Sequence, residues 1–262
     1  MTSHYAVLGS PIAHSKSPLI HTAAFEFLGV NADYVAQELA TGLSEFLESS
    51  QLSGLSVTMP LKEEALAISD RADSLAIATN SANTLIRTEE GWDAYNTDVF
   101  GIQMALKSAS GKRVAVLGTG ATARSAIVAM QELGKDVTVW GRDPKKAKSL
   151  ALEFDVEVSE KLHQAAEAPV VISSLPGGAL DEHLQSIRFS PRGTLLDVAY
   201  NPWPSKAALL WSESGKVVSG LQMLIWQAVG QQRLFAGLDL DEALNNENKL
   251  VMAIEEALKM AN

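Results

Sequence analysis

The chain has 262 residues, 47% apolar and 20% charged, the composition of an ordinary globular protein long enough for one large α/β domain or two smaller ones. It contains no cysteine, which excludes a disulfide framework, thiol nucleophiles, Fe–S clusters and the usual structural zinc sites. A formal charge of -10 argues against nucleic-acid or anionic-membrane partners, and the one basic cluster is Lys145, Lys146 and Lys148. No basic segment leads into an apolar one at the start, and no apolar run approaches the ~18 residues of a membrane span, so a cytoplasmic location is expected.

The pattern alternates short apolar runs with helical periods. Tyr5 to Leu8 reads as a strand and Pro18 to Leu28 as a helix closed by Gly29, with Ser17 as a capping hydroxyl ahead of Pro18. Strands follow at 34–37 and 55–58 and helices at 43–52 and 62–69. Runs at 83–87 and 92–95 around Glu89-Glu90-Gly91 read as a hairpin at the edge of this first unit. A connecting helix over 99–108 and the turn Ser110-Gly111-Lys112 mark a change of character. Strands are then expected at 113–117, 137–140, 170–173, 194–198 and 217–218, with helices over 121–133 and 144–154. Strands separated by helices need parallel pairing and right-handed crossovers, so the second domain is expected to be a doubly wound sheet. Two long helical patterns, 220–235 and 241–260, close the chain, with no later strand to follow; the last is expected to return to the first domain.

Lys112-Arg-Val-Ala-Val-Leu-Gly118-Thr119-Gly120-Ala121-Thr122-Ala123-Arg124 has the order of a dinucleotide fingerprint: strand, glycine turn, helix start. Gly118 permits the turn and Gly120 the approach of a pyrophosphate. Ala123 allows helix and strand to pack closely, and the helix N-terminus offers free N–H groups. The next strand ends at Trp140-Gly141-Arg142-Asp143, ~20 residues on, where the ribose is read. A neutral tip followed by Arg142 favours NADP over NAD. Asp143 opposes a 2′-phosphate unless its charge caps the helix that starts at Pro144.

Three polar clusters lie before this loop. Lys62 follows a strand stopped by Pro60, a placement that suits general acid or base work at the carboxyl ends of a sheet and equally suits a surface helix start. Asn96-Thr97-Asp98 can pair a carboxylate with Lys62 or act as an Asx-type helix cap. Ser15 and Ser17, at the mouth of a helix, form a carboxylate cradle unless Ser17 merely caps. His14 and His21 have no carboxylate or further histidine at ligand spacing, so no metal is expected.

Along nearly its full length the chain resembles the shikimate dehydrogenase family. The resemblance rests on Gly9-Ser-Pro-Ile-Ala-His-Ser15-Lys-Ser17-Pro18, Ser56-Val-Thr58-Met-Pro-Leu-Lys62, Asn83-Thr84, Asn96-Thr97-Asp98, Gly118 to Arg124, Arg142, Asp197-Val-Ala-Tyr200-Asn-Pro202 and Gly220-Leu-Gln-Met223-Leu-Ile-Trp-Gln227. It implies Lys62 and Asp98 as catalytic residues, and Ser15, Ser17, Thr58, Asn83, Tyr200 and Gln227 as substrate-binding. Gly118, Thr119, Gly120, Ala121, Thr122, Ala123, Arg142, Gly220 and Met223 would bind cofactor. It further implies NADPH-dependent reduction of 3-dehydroshikimate by a monomer or homodimer. The implied fold is α/β with two domains: a substrate domain of 1–101 plus 237–262 around a Rossmann-type NADP domain of 102–236.

Ser56 replaces a usual asparagine, Asn80-Ser81-Ala82 a usual Gly-Ala-Val, and Val99 a usual glycine. These departures are expected at the edge of the substrate pocket. They leave open a shifted substrate choice, with quinate or both acids and NAD as the nearest alternative; a nucleotide-sensing protein without turnover would have lost Lys62 or Asp98, and a reductase for folate or another bulky substrate would not need the two-serine site.

Overall fold

The computed structural model of the chain describes residues 2–187 and 191–261. It divides into two compact units, Met1–Phe100 with Ile225–Asn262, and Gly101–Leu224; the domain ends expected at 1 and 262 lie outside the described residues.

The first unit carries β1 (Ser3–Gly9), α1 (Ser17–Leu28), β2 (Ala32–Glu38), α2 (Leu43–Ser49), β3 (Gly54–Val57), α3 (Lys62–Ala67), β4 (Arg71–Ala72), α4 (Ser74–Thr79), β5 (Thr84–Arg87), β6 (Trp92–Tyr95) and the start of α5 (Thr97–Ala105). Its sheet runs β2-β1-β3-β5-β6-β4. The first three strands are mutually parallel, and β5 is antiparallel to both β3 and β6. The hairpin is therefore not at the edge: β4 pairs with β6 outside it, and a strand of two residues leaves no periodicity to read. Tyr5 to Leu8 are all buried because helices cover both faces of a parallel sheet. Leu8, Leu55, Leu85, Leu43 and Leu61 fill one side, and Tyr5, Val7, Phe25 and Tyr34 the other.

α1 begins one residue earlier than expected. Ser17 is its first helical residue, and Lys16, the capping residue, makes no side-chain cap bond. The expected capping role of Ser17 is thus corrected: it stands inside the helix, and its backbone N–H donates to Ser15 Oγ at 3.3 Å. Gly29 ends α1 in the left-handed region, as its position predicts.

In the second unit β7 (Arg113–Leu117), α6 (Ala121–Glu132), β8 (Asp136–Trp140), α7 (Pro144–Phe154), β9 (Glu157–Val158), α8 (Leu162–Ala165), β10 (Val170–Ser173), β11 (Thr194–Asp197), α9 (Lys206–Ser212) and β12 (Lys216–Ser219) lead into α10 (Gly220–Phe235). Its sheet, β12-β11-β10-β7-β8-β9, is wholly parallel. The chain goes from β7 outward to β9, then returns to β10 on the other side of β7. This is the doubly wound dinucleotide-binding order, and β7 and β10 flank its switch point.

α10 starts in the second unit and ends in the first, so the division falls inside it at Leu224/Ile225 instead of at the expected 236/237. Its later residues bond or pack with the first unit. Trp226 meets Phe100 edge-on, Gln232 bonds His21, and Phe235 packs at a tilt on Tyr5. Arg233 forks onto both carboxylate oxygens of Glu247 at 2.8 and 2.7 Å, fixing the start of α11 (Glu247–Met260). α11 then packs on α1, as the expected return to the first domain requires.

Candidate active site

The site in the first unit is made by strand ends. Leu8 of β1 faces Val57 of β3, and past them Thr58 N–H bonds Leu8 O at 2.9 Å and Ser10 N–H bonds Met59 O at 2.9 Å. Pro60, behind a cis bond, turns the chain out of the sheet so that Lys62 opens α3. Because β5 runs the other way, its start lies at the same edge: Val57 N–H bonds Asn83 O at 2.7 Å, and Asn83 N–H bonds Tyr95 O at 3.0 Å. Asn96, Thr97 and Asp98 follow directly from β6.

Lys62 Nζ donates to Asp98 Oδ2 at 2.5 Å, with side chains only 13% and 7% exposed. Asn83 Nδ2 donates to Asp98 Oδ1 and to Thr97 Oγ1, each at 2.9 Å, and to Gln227 Oε1 at 3.2 Å. The carboxylate is thus held on both oxygens. A buried charge pair of this kind persists only where hydrogen bonds satisfy what the ion pair leaves over. Both readings of Asn96-Thr97-Asp98 are realised, on different residues: Asn96 Oδ1 accepts from Asp98 N–H at 3.0 Å as an Asx-type turn, while the Asp98 side chain takes Lys62.

Residues Asn80, Ser81, Val99 and Ser56, at which the chain departs from the family pattern, are held by the scaffold. Asn80 ends α4 at φ 48, the left-handed conformation that asparagine tolerates best after glycine. Ser81 is fully buried and receives Asn96 Nδ2 on its carbonyl at 3.0 Å. Val99 is fully buried in α5. Ser56 Oγ accepts from Tyr34 Oη at 2.5 Å and donates to Gln231 Oε1 at 2.9 Å.

Gln231, Thr84, Tyr34 and His21 are the neighbours that sequence reasoning missed. His21 accepts Gln232 Nε2 on Nδ1 at 2.8 Å and places Nε2 3.0 Å from Gln231 Oε1, so its proton sits on Nε2. Burial holds its pKa down at about 3, and its ring stacks on Tyr34 at 4.2 Å. Burial likewise pushes the Tyr34 phenol well above its ordinary value. The available signal was the pair Gln227 and Gln231, one turn apart on one face of α10.

Ser15 and Ser17 stand at the N-terminus of α1, Ser15 half-buried and Ser17 buried. Thr58 is half-buried at the end of β3.

The second unit holds the remaining candidates. Gly118 has φ 127, and a Cβ there would lie 2.3 Å from Ser174 Oγ, so the turn after β7 demands glycine. Above Gly120 a Cβ would meet nothing within 4 Å, an open cradle at the N-terminus of α6 that fits a pyrophosphate. Thr119, Ala121 and Thr122 line the same turn, and Ala123 is fully buried against the sheet. Asp143 Oδ1 accepts from Lys145 N–H at 2.9 Å and Lys146 N–H at 3.4 Å, so its charge caps α7. Arg142 is left exposed at the tip with Lys145 and Lys146 beside it. These residues fit NADP.

Arg124 pairs with Glu153 and lies over the Phe154 ring. Asp197, pushed up by burial, takes Ser205 Oγ at 2.7 Å and ties β11 to the cap of α9. Tyr200 is half-buried and its phenol is raised by burial. Gly220 and Met223 open α10, Met223 buried. Among the described residues no cluster of three or more metal-ligating side chains occurs.

Residues 7–85 match the family model of the shikimate dehydrogenase substrate binding domain, and residues 113–201 match the model of NADP oxidoreductase, coenzyme F420-dependent. The shikimate dehydrogenase (NADP(+)) of Ignicoccus hospitalis is 34% identical over 244 residues, covering 89% of this chain and 93% of that protein. The enzyme of the same name from Thermus thermophilus is also 34% identical, over 89% of this chain and 92% of its own. Among solved structures, Mycobacterium tuberculosis shikimate dehydrogenase superposes with a TM-score of 0.86 at 36% identity, covering 99% of this chain and 100% of that one. The Thermus thermophilus shikimate 5-dehydrogenase in complex with NADP(H) and shikimate gives 0.83 at 32% identity, over 97% and 99%.

Proposed function

The chain belongs to the shikimate dehydrogenase family of NADP-dependent oxidoreductases acting on a CH–OH group, and on that premise we propose that it interconverts 3-dehydroshikimate and shikimate, with Lys62 and Asp98 as catalytic residues. The observation that carries this reading is the Lys62 ammonium held on Asp98 while Asn83 occupies the other carboxylate oxygen. NADPH, when bound, supplies the hydride that turns the ring carbonyl into an alkoxide. Lys62 Nζ then gives a proton to that oxygen and takes it back in the reverse direction. Because the oxyanion charge appears only along the reaction coordinate, a fixed ammonium stabilises the transition state more than the ground state. Asp98 keeps the ammonium in place and accepts from a substrate hydroxyl.

The hydroxyls of Ser15 and Ser17 hold the substrate carboxylate, and Thr58, Asn83, Gln227 and Tyr200 take the ring hydroxyls. Gly118 to Ala123 would hold the pyrophosphate of NADP, Arg142 would read its 2′-phosphate, and Gly220 and Met223 would contact its nicotinamide end. The capping of α7 by Asp143 supports NADP over NAD. No helix among the described residues is long and apolar enough to cross a membrane. The protein is proposed to act in the cytoplasm as a monomer or homodimer, in the biosynthesis of chorismate and the aromatic amino acids.

Absorbance at the reduced-nicotinamide band, with shikimate or quinate and NADP⁺ or NAD⁺, tests this. The dominant rate is expected with shikimate and NADP⁺. A dominant rate with quinate or NAD⁺ replaces the substrate or cofactor assignment, and silence in every combination leaves a nucleotide-binding protein without turnover.

A further inference from the structure

We propose that Gln231 is a positioning residue that orients Asn83, and through it the Asp98–Lys62 pair, supplying from α10 the amide that Ser56 lacks at its motif position. This rests on the shikimate reading above.

Gln231 is 1% exposed, and every hydrogen-bonding capacity of its amide is used. Oε1 accepts from Ser56 Oγ at 2.9 Å and from His21 Nε2 at 3.0 Å. Nε2 donates to Asn83 O at 3.2 Å and to Thr84 Oγ1 at 2.9 Å. Its orientation is imposed, because Gln232 donates to His21 Nδ1 and so the His21 proton faces Gln231. Thr84 Oγ1 in turn donates to Asn83 Oδ1 at 2.9 Å, beside Thr97 N–H at 2.8 Å. With its oxygen anchored by these two and by Thr97 Oγ1 at 3.2 Å, Asn83 must present Nδ2 to Asp98 Oδ1. A serine hydroxyl has one donor, and that of Ser56 is spent on Gln231. An asparagine there would have had a second. α10 comes close enough to supply it because Gly230 faces Thr97 and Phe100, where a Cβ would sit 3.2 Å from each.

A satisfied buried amide that serves packing alone would leave substrate affinity untouched, so the test reads shikimate and NADP⁺ kinetics separately. Gln231→Met keeps length without polarity, and Thr84→Val cuts the same path one bond further on. Each is expected to lower kcat/KM for shikimate about tenfold, roughly the worth of one hydrogen bond, with the KM for NADP⁺ moving less than about twofold. The double variant Ser56→Asn/Gln231→Met is expected to recover most of the loss. If Gln231→Met does not fold, Thr84→Val decides. An unchanged shikimate KM with kcat scaling only to the folded fraction overturns the proposal, and failure of the double variant to recover overturns the exchange of one amide for the other. A wild type silent with shikimate overturns the functional reading and this inference together, whereas an active wild type with unaffected variants overturns the inference alone.

Discussion

The two units solve recognition with different materials. In the first, the site is a set of side chains drawn from α3, β5, α5 and α10, nearly all buried, each satisfied by the next: Lys62 by Asp98, Asp98 by Asn83, Asn83 by Thr84, Thr97 and Gln227. In the second, the dinucleotide loop is mostly backbone. Small residues at Gly118, Gly120 and Ala123 leave room, a helix N-terminus supplies N–H groups, and Arg142, the proposed reader of the 2′-phosphate, stands in solvent. A backbone cradle depends on a single local turn and tolerates much around it, while a side-chain network depends on every member.

That contrast predicts where damage stays. Lys62→Ala should lower turnover by ~10² to 10⁴ and leave the KM for NADP⁺ nearly unchanged, as steady-state rates with each ligand varied will show; preserved turnover would remove Lys62 from the chemistry. Arg142→Ala should act in the opposite half. Loss of a charge-assisted contact should raise the KM for NADP⁺ by ~10 to 100-fold while NAD⁺ and shikimate are unaffected, and a parallel loss with NAD⁺ would mean that Arg142 serves the fold instead of the phosphate.

The smallest expected effect is on stability. His21 is held at about 3 by burial, below its ordinary 6.5. As pH falls below 6.5 the unfolded chain takes up a proton that the folded one refuses, so stability present above that value is lost toward acid. The loss is about 2 kcal/mol between pH 7 and 5. Urea midpoints across that range should fall in the wild type and flatten in His21→Asn; equal slopes would show that His21 is not kept neutral. Asp197 in the second unit has the reverse sign: its raised value means that its contribution is present at low pH and lost as pH rises through the folded value.

The dinucleotide half was legible because its logic is contiguous. Strand, glycine turn and helix occupy one stretch from Arg113, and Pro144 to Phe154 is helical over the span that its start and period announced. The substrate half was legible only in part. Lys62 and Asp98 were visible as polar residues beside strand ends, yet whether Asp98 paired or merely capped was open until β5 reversed direction and brought Asn83 alongside. β4, β9 and α8 were not foreseen, since segments of two to four residues carry no period. Leu43–Ser49 and Lys62–Ala67 stop short of the expected helices, because apolar positions past their ends belong to the turns that lead into the next strand.

By itself, then, the sequence determined the two α/β units, the strand–turn–helix of the cofactor loop and the motif residues of the site. The first two are set by local backbone preference and by the period of apolar residues, while the site residues were named by the resemblance of their motifs to the family's. Only the tertiary structure decided that Ser56 turns to Tyr34 and Gln231, that Ser17 opens a helix without capping it, and that Gln231 reaches Asn83. Those outcomes depend on which donors and acceptors from distant segments are buried together, and a buried polar group takes the partner that packing brings within reach.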